Sequence, residues 1–110
     1  RREWRTPSGR AQFAAWDGAV DAPPVPGALR LTTIRSHDQY NTTVYGYDDR
    51  YRGVRGRRDV LFLSREDLEA RGWRTGDRVD VVVAGGERRL EGLTLVEYAI
   101  APGGCAAYYP

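Results

Sequence analysis

Arg35, Ser36, His37, Gln39, Tyr40, Asn41, Thr42 and Thr43 stand almost side by side, and Thr33 precedes them on the same strand-like segment. Their side chains are of complementary kinds. Arg35 offers a planar fork for a phosphate or a carbonyl-type oxygen. Thr33, Ser36, Thr42 and Thr43 offer hydroxyls, while Gln39 and Asn41 can each donate and accept. His37 can donate to an oxygen, and Tyr40 can stack or bond. A protein core has no use for such density, because every buried polar group needs its own partner. A run of this kind suits the binding of a long polar ligand with anionic oxygens and planar hydrogen-bonding edges.

Other reactive residues point less sharply. His37 is the only histidine, with no second acid–base group placed beside it by a known spacing, so a donor role is favoured over catalysis. Asp48 and Asp49 form a carboxylate pair, but Arg50 and Arg52 follow at once, which predicts a surface ion-pair network. Arg35 has a similar bland alternative, pairing with Asp38. The single cysteine, Cys105, excludes an internal disulfide framework and a cysteine-rich metal site. It has no histidine or acid neighbour in sequence and reads as a buried structural thiol. The small residues Gly103-Gly-Cys-Ala-Ala107 fit either a close approach to ligand or a tight strand crossing.

The elements that must hold these residues are mostly strands. Residues 29–35 alternate as a strand, with Leu29, Leu31 and Thr33 on one face and Arg30, Thr32 and Ile34 on the other. A long loop follows over 36–57, and a flexible stretch is expected within 46–57. Residues 59–63 return to strand character. Ser64-Arg-Glu-Asp67 predicts a helix over 65–71 with Ser64 capping the Asp67 amide, closed by Gly72. A strand over 78–83, a hairpin at 84–87 and a returning strand over 88–100 come next. Leu90 cannot share a face with Leu93 and Leu95, which predicts a bulge near Gly92. Pro102-Gly-Gly104 turns the chain into a last apolar strand. Before all of this, residues 6–10 read as a turn, 11–16 as a short apolar patch, and 21–27 as a proline-stiffened connector. The pattern is mainly β with one brief helix, which suggests a small closed barrel.

The 110 residues amount to one domain, taken here as 1–110. Seventeen basic against fifteen acidic side chains is too even a balance to imply a polyanion partner. Every basic residue is arginine, the better fork for phosphate, although compositional bias gives the same result. The lack of methionine leads us to expect a piece of a longer polypeptide. No apolar run approaches a membrane span and no signal-peptide core is visible, so a cytoplasmic setting without membrane partners is expected.

Ser64 to Val83, with its S-x-x-D start and its Gly76-Asp-x-Val79, resembles the helix–turn–strand unit of double-psi β-barrels of the aspartate decarboxylase-like kind. Thr6-Pro-Ser-Gly-Arg-Ala-Gln-Phe13 is similar to the opening of the C-terminal domain of molybdopterin oxidoreductases, and Leu31 to Thr43 to that domain's dinucleotide-binding strand and loop. His37 to Gly46 and Gly103 to Pro110 most resemble formate dehydrogenase-like alpha subunits. The resemblance implies a six- or seven-stranded double-psi barrel that holds a molybdopterin guanine dinucleotide through Thr33, Arg35, Ser36, His37, Gln39, Tyr40, Asn41, Thr42 and Thr43. The cofactor implied is a molybdenum (or tungsten) bis(molybdopterin guanine dinucleotide). The metal ligand, any iron–sulfur cluster and the acid–base residues would lie in other domains of the parent oxidoreductase, which are this domain's expected partners. The resemblance also leads one to expect further cofactor-contacting chain beyond Pro110. Two other readings stand beside it: a nucleic-acid-binding β-barrel using the Tyr/Arg/Gly loop at 45–58, which the diluted charge argues against, and a protein-adaptor double-psi barrel, which leaves the 36–45 run without a purpose.

Overall fold

A computed structural model describes residues 5–13, 25–41 and 44–109. Five strands and one helix follow in the order β1 (Arg30–Ile34), β2 (Val60–Leu63), α1 (Arg65–Arg71), β3 (Arg78–Val82), β4 (Arg89–Glu97) and β5 (Gly104–Tyr108). They form one sheet with spatial order β1-β5-β2-β4-β3. β1 runs parallel to β5 and β2 parallel to β4, whereas β2/β5 and β3/β4 are antiparallel.

The centre of the sheet is buried on both faces, and the sequence of β2 shows why. Val-Leu-Phe-Leu has no polar position, and all four residues are buried. Because successive side chains alternate, Leu61 and Leu63 join Leu68, Leu93, Leu95, Cys105 and Ala107 on one face. Val60 and Phe62 join Val54, Ala106 and Tyr108 on the other. The small residues of β5 let β1 and β2 flank it with no large side chain to accommodate, so Cys105, Ala106 and Ala107 form a tight crossing within the core.

The helix begins as its sequence dictates. Ser64 Oγ accepts the Asp67 amide at 3.0 Å, and Gly72 ends the helix at φ 66°. Asp67 does more than close a capping box. Its Oδ2 also accepts from the Ser64 hydroxyl at 2.9 Å and from the Gly103 amide at 2.8 Å, tying the helix start to the turn before β5. The expected bulge is present: Val79 faces Leu93 but Val81 faces Leu90, leaving an extra residue in β4 at Gly92, which holds φ 70°.

Two expectations are corrected. The described residues give five strands, not six or seven, and an open sheet whose edges are β1 and β3. The sheet nonetheless curls, since Leu29 from one edge and Val79 and Val81 from the other pack on the same core cluster. Between those edges lies an apolar cavity of about 490 Å³, lined by Leu31, Leu61, Val79, Val81 and Cys105 among others. The second correction concerns Asp49, expected at the surface with Asp48; Asp48 is exposed and the expected ion pair with Arg52 forms. Asp49 is buried, within a turn where its amide and carbonyl both bond Val54, so the 46–57 stretch is a hydrogen-bonded hairpin that inserts Val54 into the core. Part of the apolar patch at 11–16 and most of the connector at 21–27 lie outside the described residues. Among the described residues no helix is long and apolar enough to cross a membrane.

Candidate functional site

β1 and β5 are parallel neighbours, with Ile34 beside Tyr108 at their C-terminal ends. They therefore deliver Arg35 and Ser36 on one side, and Tyr108 and Tyr109 on the other, to the same rim of the sheet. The backbone is continuous there, since the Tyr109 amide donates to the Ile34 carbonyl at 2.7 Å. The loop after β1 is folded back over this rim by two arginines that come from 52 and 58.

Arg58 is the organising cation. Its Nη1 donates to Ser36 Oγ at 3.0 Å, and its Nη2 donates to Gln39 Oε1 and to the Tyr109 carbonyl, both at 2.9 Å. Its guanidinium lies 4.0 Å from the Tyr45 ring centroid and 4.8 Å from that of Tyr108, a cation held between two aromatic faces. Ser36 is buried, and its amide donates to Gln39 Oε1 at 3.3 Å. Gln39 Nε2 is closed to solvent and has no hydrogen-bond partner.

Beside this lies an ionic cluster. Arg52 Nη1 donates to Asp49 Oδ2 at 2.6 Å and to the Arg35 carbonyl at 3.1 Å. Tyr108 donates to Asp49 Oδ2 at 3.0 Å, and His37 Nδ1 sits 3.3 Å from Asp49 Oδ1 with its ring 4.3 Å from that of Tyr51. Burial opposes the charge on Asp49, but hydrogen bonds from Arg52 and Tyr108 outweigh it and hold its carboxyl below the usual range. Burial, then the bond to Asp49, pushes the Tyr108 hydroxyl well above the usual tyrosine range. Asp49 is thus a fixed anion and Tyr108 a fixed donor, and neither is poised to exchange a proton near neutrality.

The residues singled out in the sequence fall into separate groups. Ser36, His37 and Gln39 are brought together around Arg52 and Arg58. Thr33, Arg35, Tyr40 and Asn41 are exposed at the same end of β1 or just beyond it. Among the described residues the Arg35 guanidinium makes no hydrogen bond or ion pair, so the alternative pairing with Asp38 is not formed. Asn41 occupies the left-handed region at φ 58°. Thr42 and Thr43 lie outside the described residues. The Arg52–Asp49 ion pair is the one its local spacing predicts, but sequence reasoning missed Arg58 and Tyr108, whose partners lie 19 to 59 positions away. Within the Tyr/Arg/Gly loop, Arg52 and Arg57 answer Asp49 and Asp59, and Arg58 answers Ser36 and Gln39, which withdraws three cations from any polyanion surface. Cys105 is buried as expected. No group of three or more potential metal ligands occurs among the described residues.

The described residues form a small, mainly β domain with a polar rim where β1 and β5 end. Comparison with known proteins gives its class. The chain belongs to the family described as "Molydopterin dinucleotide binding domain", whose model matches residues 29–110. It is 50% identical over 116 aligned residues to a protein named uncharacterized oxidoreductase from Mycobacterium tuberculosis strain H37Rv, covering 99% of this chain and 15% of that one. It is 40% identical over 116 residues to Protein YdeP of Escherichia coli K12, again covering 99% of this chain and 15% of the relative. The chain thus spans about 15% of the length of these relatives. No solved structure matches it significantly.

The residues at the rim fit a pterin dinucleotide. Such a ligand presents phosphate and ring-carbonyl oxygens, and the rim offers the exposed Arg35 guanidinium, while the unanswered Gln39 amide donor in the same loop is closed to solvent.

Proposed function

We propose that this domain holds a molybdopterin guanine dinucleotide within a larger, formate dehydrogenase-like oxidoreductase. When bound, the cofactor supplies the two-electron chemistry at its molybdenum or tungsten. The chain's own residues bind and orient. Arg35 is the anion fork, Gln39 a directed donor, and Ser36 and His37 are the braced backing of the loop. Thr33, Tyr40, Asn41, Thr42 and Thr43 complete the contact run. The observation that carries this reading is the rim itself, where parallel strands β1 and β5 end together beside a polar loop that holds one unsatisfied donor, Gln39 Nε2. Membership of the dinucleotide-binding family and the oxidoreductase relatives support it.

The curled sheet with both edges on one core is compatible with a double-psi barrel, closed by chain other than the described strands. The remaining domains of the parent polypeptide supply the metal ligand, any iron–sulfur cluster and the rest of the cofactor's contacts, in a cytoplasmic enzyme. The test is made on the full-length protein. Denaturation should release a guanine nucleotide, elemental analysis should find molybdenum or tungsten, and formate should be oxidised. Arg35→Ala should lower nucleotide and metal content together while leaving the unfolding midpoint of the domain unchanged. Full occupancy in that variant would remove Arg35 from the site.

A further inference from the structure

We propose that Gln39 recognises its ligand as a hydrogen-bond donor only, and that Arg58 is the positioning residue that makes it so. This rests on the cofactor-holding role proposed above. A free carboxamide both donates and accepts. Here the acceptor half is already occupied: Gln39 Oε1 takes one bond from the Ser36 amide at 3.3 Å and another from Arg58 Nη2 at 2.9 Å, filling both lone pairs. Neither partner can reverse its role, because a backbone N–H and a guanidinium have nothing to accept with. Flipping the carboxamide would set its NH₂ against two donors. Nε2 is therefore the half turned away from Arg58 and the Ser36 amide, and it is left closed to solvent and without a partner.

Arg58 cannot swing away to release Gln39, because Ser36 Oγ, the Tyr109 carbonyl and two tyrosine faces hold it. Its charge behind Oε1 polarises the carboxamide and strengthens the N–H as a donor. An unanswered buried donor is disfavoured unless something supplies an acceptor. The chemistry that answers it is an acceptor oxygen, either a phosphate oxyanion or a ring carbonyl of the dinucleotide. A ligand edge presenting N–H or NH₂ is refused. Reaching Nε2 takes a local adjustment of the loop around it.

The test uses the full-length protein, with pterin and nucleotide content measured after denaturation and unfolding midpoints measured on cofactor-free samples. Gln39→Glu keeps an oxygen for Arg58 and Ser36 but replaces the donor with an acceptor. Nucleotide content should fall at least tenfold while the midpoint stays level or rises. Gln39→Met removes the donor without adding charge. A smaller loss in Gln39→Met than in Gln39→Glu assigns a phosphate oxyanion, and equal losses assign a ring carbonyl. In an Arg58→Ala background, Gln39→Glu should cause little further loss. Wild-type content in Gln39→Glu, a midpoint that falls in step with content, or losses that simply multiply with those of Arg58→Ala would each overturn the inference. If the wild type itself carried no dinucleotide, the cofactor reading would fail first.

Discussion

The Tyr108 hydroxyl donates to Asp49 Oδ2 at 3.0 Å, joining the last strand to a turn 59 positions earlier. Arg52 reaches the same oxygen from within that turn, at 2.6 Å. Because Val54 is buried beside Tyr108 and Phe62, this contact decides whether the 49–54 turn closes one face of the core. Tyr108→Phe removes one hydrogen bond to a charged acceptor and should cost about 1.5–3 kcal/mol. Asp49→Ala strands the half-buried Arg52 cation and should cost more, about 3–5 kcal/mol. Urea midpoints of the two variants and of the double variant check this. The double variant should be little worse than Asp49→Ala alone, because both changes remove the same contact.

The pH dependence of stability follows from groups at both ends of the scale. Asp49 and Asp67 are each subject to burial that opposes their charge. Hydrogen bonds from Arg52 and Tyr108 to Asp49, and from Gly103, Ser64 and Arg71 to Asp67, reverse the balance and lower both carboxyls below 3.8. A lowered folded-state value means the unfolded chain binds protons first as the solution is acidified. Their stabilisation is therefore complete above about pH 4 and is lost as pH falls through the folded values. Tyr108 behaves in the opposite sense. Burial and Asp49 raise it from 10.0, so the unfolded chain releases its proton first and stability falls as pH rises beyond about 10. The buried Cys105 thiol, raised from 9.0, adds to the alkaline loss. Urea midpoints should therefore be flat from about pH 4 to about pH 9, with Asp49→Asn reducing the acid limb and Tyr108→Phe the alkaline one.

Much of this architecture is legible in the sequence wherever local chemistry decides it. Ser64 three residues before Asp67 specifies the cap, Gly72 the helix end, and the phase break between Leu90 and Leu93 the bulge. The apolar run of β2 specifies a central strand. The site is legible as a composition but not as a constellation. Ser36 and Gln39 are recognisable polar residues, yet their shared partner Arg58 lies 22 and 19 positions away and looks no different from Arg55 or Arg57. Asp49 misleads for the same reason: beside Asp48 and Arg50 it reads as a surface charge, and only the arrival of Tyr108 from the far end of the chain explains its burial. Strand number fails differently, because closure depends on what pairs with the outer edges of β1 and β3, and no period within those strands reports it.

Gly92 should resist replacement through its backbone, not through crowding. A Cβ there would meet Arg78 Nη2 at 2.6 Å, but that atom ends a flexible, exposed side chain and can move. The φ of 70° cannot be relieved in the same way, because the bulge and the bond from the Gly92 amide to Asp80 Oδ1 at 2.8 Å hold it. Gly92→Ala should cost about 1–2 kcal/mol, the usual penalty for a left-handed residue with a Cβ. Gly92→Asn should cost less, since asparagine tolerates that region. Comparing each variant with its Arg78→Ala counterpart separates the causes: a penalty unchanged by Arg78→Ala confirms the backbone, and one that disappears would place it in the contact.

Cys105 sits where β5 is flanked by Leu31 of β1 and Leu63 of β2, and it also borders the apolar cavity between the sheet's two edges. Burial, reinforced by the nearby Asp67 carboxylate, raises its thiol above the ordinary value of 9.0, so little thiolate forms at neutral pH. Since the thiolate is the reactive species, both access and ionisation oppose modification. A bulky disulfide reagent should leave the native domain unmodified and label one thiol per chain in denaturant, at a rate that follows the unfolded fraction. Cys105→Ala should be tolerated with a loss of about 1 kcal/mol, because a small cavity next to an existing one adds little new void. Cys105→Ser should cost more, since it buries a hydroxyl among leucines and valines. If Cys105→Ser proved the milder change, water in the neighbouring cavity would have to be satisfying that hydroxyl, and the cavity would be wet, not apolar.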